Sequence, residues 1–169
     1  SGGVTVTETF TVTVINEAPS IISVSSTVVD GNYGIGEVIP ITINFNEKIT
    51  TTGTPQLTLE TGITNAVVDY TSGSGSTTLA FNYTILSGHT SNDLDYGSVG
   101  ALALNGGTIK DDGGKSAILT LPDVGTSGSL GGNKNIILGY PDGASCIDDK
   151  ECHSYDCDEC GECSGDNPT

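Results

Sequence analysis

Arginine, tryptophan and methionine are all absent from this 169-residue chain, and lysine occurs only five times. The chain carries 21 acidic side chains against these five lysines, so its formal net charge is -16. Such a chain has no basic footprint for nucleic acid, and without arginine it has no bidentate clamp for carboxylate or phosphate groups. Nucleic-acid binding is therefore excluded, and an enzyme for phosphorylated or acidic substrates is disfavoured.

Long apolar runs are missing as well. No segment approaches the roughly 18 consecutive apolar residues that a membrane helix requires, so we expect no membrane insertion. The chain begins Ser1-Gly2-Gly3, without Met or a signal-type apolar run, as expected of a mature chain or a fragment. Hydrophobic residues make up 35% of the chain and aromatic residues 5%, which predicts one modest core rather than two large ones.

Short strand-like runs recur about every ten residues, separated by Gly, Asn, Asp and Pro, with no helical period between them. This pattern predicts an all-β sandwich of about seven strands in about 100 residues. The predicted strands are 21–29, 38–45, 56–60, 66–70, 77–85, 101–104, 116–121 and 135–138. Because the Cys-Trp-Cys pin of antibody domains is absent, apolar packing must hold the sandwich. The predicted core residues are Ile41, Ile43, Phe45, Leu57, Leu59, Phe81, Tyr83 and Ile85.

One further strand precedes this series, because residues 4–14 alternate strictly between apolar and polar side chains. Its apolar face comprises Val4, Val6, Phe10, Val12 and Val14. An apolar face of this kind needs a partner. The strand therefore ends a preceding domain, is donated to another copy of the chain, or joins the same sandwich.

The composition changes near residues 140–143, and the 29 residues that follow Tyr140 hold 9 of the 21 acidic side chains. All five cysteines lie in this segment: Cys146, Cys152, Cys157, Cys160 and Cys163. Close thiols beside His153 suggest zinc in a cytosolic protein, whereas an extracellular β-module favours disulfides, which is our prediction. Because five is odd, one thiol stays free, pairs between chains, or has its partner beyond Thr169.

Carboxylates in the same tail offer the hard oxygen ligands that calcium prefers. The candidate calcium ligands are Asp148, Asp149, Asp156, Asp158, Glu162 and Asp166. We therefore divide the chain into an N-terminal strand and linker (1–19), a β-sandwich (20–140) and an acidic, disulfide-rich tail (141–169).

No catalytic set emerges from the predicted sandwich. His89 lies near Ser87, Ser91 and Asp93, but no Gly-x-Ser-x-Gly turn accompanies them, and triad members seldom come from one short loop. Asp93 with Asp95, and Asp111 with Asp112, are interpreted as turn residues. The chain is predicted not to be an enzyme and to bind no organic cofactor.

The segment Val4-Thr5-Val6-Thr7-Glu8-Thr9-Phe10-Thr11-Val12-Thr13-Val14-Ile15-Asn16-Glu17-Ala18-Pro19 resembles the last strand and linker of cadherin-like repeats in large bacterial surface proteins. Those repeats end in a similar strand followed by Asn-Asp/Glu-Ala-Pro, and their linker carboxylates bind calcium between modules. Asn16 and Glu17 match part of that linker.

Residues 19–138 resemble an immunoglobulin-like repeat that occurs in tandem in bacterial extracellular proteins. The matching pieces are 29–39, 52–60, 93–96, 104–111 and 119–122, among them Leu104-Asn105-Gly106-Gly107-Thr108-Ile109-Lys110-Asp111. The resemblance implies a structural or adhesive module with an immunoglobulin-like fold. The tail segment 156–167 is similar to short Asp-Cys-x-Gly-x-Cys-x-Gly-Asp repeats of secreted microbial proteins, which are themselves similar to calcium-binding thrombospondin-type repeats.

The resemblances lead us to expect an extracellular module of a large microbial surface protein, acting as a spacer or a cell-surface interaction unit. Its expected partners are neighbouring modules or copies of the chain, and cell-surface or glycan targets. The alternative is an extracellular filament subunit that polymerises by donating strand 4–14 to a neighbouring copy. A third hypothesis is a zinc-binding interaction tail on a carrier domain.

Overall fold

The computed structural model describes residues 2–4, 8–9 and 15–139, and this part of the chain is nearly all-β. The elements follow in the order β1 (Ile21–Ser26), β2 (Gly31–Tyr33), β3 (Val38–Thr52), β4 (Gln56–Leu59), β5 (Ala66–Ser72), β6 (Ser76–Thr84), β7 (Leu102–Ala103), β8 (Thr108–Lys110), α1 (Leu130–Asn133) and β9 (Ile136–Leu138). The predicted all-β class is confirmed. The immunoglobulin-like topology stays a prediction.

One antiparallel sheet runs in the order β1-β3-β6-β5-β4-β7, and β8 joins it by pairing with β3. Strands β2 and β9 form a separate parallel pair. The sheet curls because two strands change partners along their length. The first part of β3 pairs with β1 and β6, and its last residues, Thr50–Thr52, pair with β8. Likewise, β5 pairs with β4 through residues 66–69 and with β6 through Tyr70 and Ser72.

The curled sheet encloses a single core, to which β3 contributes a continuous row. Ile39, Ile41, Ile43 and Phe45 alternate with polar or exposed positions and are all buried. Burying such a side chain contributes roughly 1.5–3 kcal/mol, so this row anchors the fold. All eight predicted core residues are buried, which confirms the assignment of the inward faces.

Several element boundaries differ from the prediction. Strand β3 continues to Thr52, seven residues past the predicted end, because the β8 partner extends its ladder. Residues 30–34, which fall between two predicted strands, contain β2, which exists because Ile136–Leu138 pairs with it from about 100 residues away. Segment 116–121 is not a strand; it makes only isolated bridges, at Ser116 and Ile118.

A short helix was also not predicted. Helix α1 spans four residues, too few to show a helical period, and it is capped by Ser129, whose Oγ accepts a hydrogen bond from the Gly132 N–H at 3.0 Å. The loop before it covers the free edge of β1, since the Val24 N–H donates to the Gly128 carbonyl at 2.8 Å. This bond occupies the outer edge of β1 at Val24.

The chain enters and leaves the sandwich at opposite ends. Strand β1 starts opposite Phe45 and runs toward the beginning of β3, so residues 15–20 lie at the Phe45 end, here called the N-terminal pole. The chain leaves at Gly139, whose N–H donates to the Tyr33 carbonyl near the Val38 end of β3, here called the C-terminal pole. At about 3.3 Å per residue, Val38 and Phe45 are roughly 23 Å apart.

Only part of the N-terminal strand lies among the described residues. Val4 is 88% exposed and Ile15 is 72% exposed, so neither is packed in the core. Val6, Phe10, Val12 and Val14 lie outside the described residues, as does the whole tail 140–169. The domain boundaries at residues 19–20 and 140–141 stay predictions.

Candidate functional site

The linker at the N-terminal pole is held along its backbone before β1 begins. Pro19 is buried, and its carbonyl accepts the Ile118 N–H at 2.7 Å. Ser20 and Asn46 exchange two bonds: the Ser20 N–H donates to Asn46 Oδ1 at 2.8 Å, and the Asn46 N–H donates to the Ser20 carbonyl at 3.0 Å. The linker is therefore bound to the sandwich on both sides.

A buried carboxylate, Asp111, fixes the first part of the linker. Asn16 Nδ2 donates to Asp111 Oδ2 at 2.8 Å, and the Lys115 N–H donates to Asp111 Oδ1 at 2.7 Å. The Lys115 ammonium also donates to the Asn16 carbonyl. We call Asn16, Asp111 and Lys115 the linker clamp.

The charge state of Asp111 follows from these contacts. Burial favours the neutral acid, but hydrogen bonds from the Asn16 side chain and from the Lys115 and Gly113 backbones stabilise the carboxylate. The nearby positive charge of Lys115 acts in the same direction. Together they outweigh burial and hold the pKa of Asp111 below its ordinary value, so the clamp is ionised at neutral pH.

Gly113 makes room for the clamp. A Cβ atom at this position would lie 2.3 Å from Asn16 Nδ2 and 3.3 Å from Asp111 Oδ1. Any side chain at residue 113 would therefore push the Asn16 amide away from its carboxylate.

The turn interpretation of Asp111 and Asp112 is confirmed, since the Gly114 N–H donates to the Asp111 carbonyl at 3.1 Å. Asp112 forms an exposed ion pair with Lys48 at 3.2 Å. Glu17 is exposed. Calcium at this linker is implied by the partial resemblance to cadherin-like linkers alone; within the described part of the chain, no three His, Cys, Asp or Glu side chains are grouped as metal ligands.

The C-terminal pole is built differently, because β5 separates from β6 there. Their pairing ends at Tyr70↔Phe81, and toward the pole β5 pairs with β4 instead. The separation opens a groove of about 510 Å³. We call it the β5–β6 groove; its lining includes Ala66–Asp69, Asn82–Thr84, Leu86 and His89.

The groove walls are partly apolar. Val67 is 59% exposed and Leu86 57% exposed, while Ala66 and Val68 are buried beside them. Among the lining residues Asp69 is the single carboxylate, and its Oδ1 accepts a hydrogen bond from Gln56 Nε2 at 2.9 Å. A partly apolar surface with a single carboxylate stands out on a chain with a net charge of -16.

His89 contributes to the groove through Tyr83. The Tyr83 hydroxyl lies 2.8 Å from His89 Nδ1, and the two rings stack with centroids 5.8 Å apart. Burial raises the pKa of Tyr83 to about 12, so the phenol stays neutral at physiological pH. The Ser91 hydroxyl accepts the Asp93 N–H, and the side-chain hydrogen bond that His89 makes within the described residues is the one to Tyr83.

Asp95 and Tyr96 brace the loop that covers β1. Asp95 is buried, with Oδ1 accepting the Tyr96 N–H at 2.9 Å and Oδ2 accepting the Gly125 N–H at 3.2 Å. The Tyr96 hydroxyl donates to the Pro122 carbonyl at 2.6 Å, and burial raises the pKa of this phenol. The pKa of Asp93 is raised by partial burial and by the nearby carboxylates of Asp95 and Asp30. A hydrogen bond from the Ile136 backbone lowers this pKa but does not outweigh them.

Of the site residues predicted from the sequence, Val4 alone lies within the part of the chain that the structure describes. Val4 is placed, and it is exposed. The remaining assembly-strand residues, the five cysteines and the six candidate calcium ligands lie outside the described residues. Their predicted roles are unchanged.

Neither the linker clamp nor the groove is apparent from the sequence. Asn16 and Asp111 were noticed separately, but they are 95 residues apart and no local signal joins them. For the groove, a weak signal existed in the Val67-Val68 pair, which breaks the alternation of β5 and leaves one valine outside.

No family model, curated protein or solved structure matches this chain. Within the described residues, no helix is long and apolar enough to span a membrane. The two poles are therefore interpreted from their own geometry.

Proposed function

We propose that this chain contains an immunoglobulin-like spacer module of a large microbial extracellular surface protein, working by shape and stiffness without catalysis. One observation carries the proposal: the chain enters through a clamped linker at one pole and leaves at the opposite pole. Modules connected in this way stack end to end, as a spacer requires.

The first strand also suits a load-bearing role. Strand β1 pairs antiparallel with β3 from Ile21↔Phe45 to Ser26↔Ile41. A force applied through the linker acts along β1, so the β1–β3 hydrogen bonds are loaded together instead of breaking one after another. The linker clamp passes this force to residues 111–118 before it reaches β1.

Single-molecule force spectroscopy on the full chain, pulled through Ile15 and Gly139, tests this role. We expect one cooperative unfolding event that lengthens the chain by about 400 Å, from roughly 3.6 Å per residue less the folded span. Pulling through Ile15 and Ser74 is the matched control. Ser74 Oγ accepts the Thr51 N–H, beyond Phe45 in β3, so both attachment points lie at the N-terminal pole, and a force applied across the strands should break their hydrogen bonds one after another at lower force. Equal forces in both geometries would contradict the load-bearing role.

The extracellular location is supported by the acidic surface, the β-module resemblance and the cysteine-rich tail. Antibodies against residues 20–139 are expected to label intact, unpermeabilised cells that produce the protein. Labelling only after permeabilisation would contradict the surface location. Adhesion to cell-surface or glycan targets is the finer form of the same proposal, and binding of the purified chain to intact cells tests it.

The acidic tail is proposed to be disulfide-bonded and to bind calcium through its carboxylates. Alkylation without prior reduction should label one thiol per chain at most, because four of five cysteines can pair within it. Alkylation of all five would contradict disulfides and favour the zinc alternative, for which the metal content of gently purified protein is decisive.

The second candidate function is a filament subunit that donates strand 4–14 to a neighbouring copy. Val4, at the start of the strand, supports it because it is exposed, and Ile15, which follows the strand, is exposed as well. Negative-stain electron microscopy of native material should show regular filaments, and a calcium chelator should dissolve them if the ion locks the joint. Isolated particles would contradict polymerisation.

A further inference from the structure

We propose that the β5–β6 groove is the acceptor for strand 4–14 of a neighbouring copy, an inference that rests on the filament function above. The occupant is thus a second copy of this chain, bound head to tail. Four features of the structure support the assignment.

The first feature is the open edge of the sheet. On its β3 side, β6 is paired as far as Val38↔Thr84, but on its β5 side the pairing ends at Tyr70↔Phe81. Residues 82–84 therefore offer a strand edge next to an apolar wall. Extended segments recognise such an edge through backbone hydrogen bonds and alternate side chains.

The second feature is size. A strand rises about 3.3 Å per residue, and its neighbours are about 4.8 Å away within a sheet and 10 Å away between sheets, which gives roughly 160 Å³ per residue. The groove volume of about 510 Å³ therefore accommodates about three of the eleven residues of segment 4–14. This length matches the three residues of β6 that lack a β5 partner.

The third feature is chemical match. Segment 4–14 alternates Val and Phe with Thr and carries a single charge, Glu8. The groove offers Val67 and Leu86 as exposed apolar contacts and has Asp69 as its single carboxylate. Phe10 is the largest side chain of the segment, and buried aromatic groups are the usual anchors of such contacts.

The fourth feature is direction. The linker that follows the segment is bound at the N-terminal pole, through Asn16. The groove lies at the opposite pole. Its residue His89 is next to Gly139, since a Cβ atom built on Gly139 would be 3.9 Å from the His89 carbonyl oxygen. Val4, at the described start of the segment, is exposed. A segment leaving one copy meets the groove of the next copy directly, and a contact between unlike poles builds an open filament.

Photocrosslinking between copies tests the assignment on the full chain. The chain carries p-benzoylphenylalanine in place of Phe10, and equal amounts of unlabelled and nitrogen-15-labelled protein are mixed before irradiation. A crosslink that joins one unlabelled and one nitrogen-15-labelled peptide must connect two different copies, and mass spectrometry identifies the residues in such crosslinks. We expect them to map to residues 64–71 and 82–89.

Two surface variants make the test specific. Val67→Lys places a charge in the groove, and Val124→Lys places one at a residue 49% exposed outside it. Crosslinking between copies should fall at least about tenfold in Val67→Lys and stay unchanged in Val124→Lys. Thermal unfolding should show equal stability for both variants.

Crosslinks between copies that map elsewhere, or that fall equally in both variants, would overturn the groove as acceptor and leave strand donation standing. Crosslinks found only within one copy, or none, would overturn strand donation together with the groove. The failure of the site and the failure of the filament function are thus distinguished.

Discussion

The two poles of this module are made from the same curled sheet, yet one is closed and the other open. At the N-terminal pole, Pro19 and Asn16 are hydrogen-bonded to residues 111–118, and both carboxylate oxygens of Asp111 accept hydrogen bonds. At the C-terminal pole, β5 leaves β6, and Val67 and Leu86 remain in solvent. The difference shows that the sheet is tied to the linker at one end and leaves a partly apolar groove open at the other.

The largest effect should come from the core that both poles share. Ile43 is fully buried in the middle of β3, and Ile43→Ala should lower the free energy of unfolding by about 3 kcal/mol. Because the change acts on both poles, amide hydrogen exchange should accelerate equally at Ile118 and at Gly139. Acceleration at one pole alone would show that the poles unfold independently, which chemical denaturation followed by several probes would also detect.

A change at the clamp should separate the poles. Gly113→Ala displaces the Asn16 amide from Asp111, so the linker should open more often. We expect about tenfold faster exchange of the Ile118 amide, which bonds the Pro19 carbonyl, and no change at Gly139. Gly2→Ala is the control, because a Cβ atom at Gly2 meets no atom within 4 Å, and exchange of both amides should be unchanged. Gly36→Ala is unsuitable as a control, because the backbone φ of 87° at Gly36 would strain an alanine.

At the C-terminal pole, Tyr83→Phe removes the hydroxyl bonded to His89 and should lower the free energy of unfolding by about 1 kcal/mol. Absorbance titration gives a second readout. The phenol with a pKa of about 12 should disappear from the curve in this variant. Tyr70→Phe, whose hydroxyl accepts the Ser74 N–H in an exposed hairpin, should leave that late step in place.

The smallest effects should be the pH dependences of two carboxylates, which have opposite signs. The pKa of Asp111 is lowered in the fold, so its stabilisation is present above its ordinary value near 4 and is lost as pH falls through the folded value. The pKa of Asp93 is raised, so its charge destabilises the fold above that raised value.

Urea unfolding at several pH values checks both signs. Asp111→Asn should be less stable than the parent chain at pH 7, and the two should converge in strong acid. Asp93→Asn should be slightly more stable at pH 7 and should lose that advantage as pH falls. A destabilised Asp93→Asn at pH 7 would contradict the assignment of its raised pKa to burial and neighbouring carboxylates.

Local pattern was sufficient for the inward faces. The alternation Ile39, Ile41, Ile43, Phe45 identifies a strand with one buried side, because successive side chains of a strand point to opposite faces. The same rule identified Leu57, Leu59, Phe81 and Tyr83. It could not identify β2 or β8, which are three residues long and depend on partners from distant parts of the chain.

The sequence by itself determined the all-β class, the acidic composition, eight of the buried core positions and the concentration of cysteine in residues 141–169. These depend on composition and on contacts between neighbouring residues. Only the tertiary structure decided that Asn16 reaches Asp111, that β5 leaves β6 to open a groove, and that the chain enters and leaves at opposite poles. These features depend on how the sheet curls, which joins residues about 100 positions apart and cannot be deduced from local alternation.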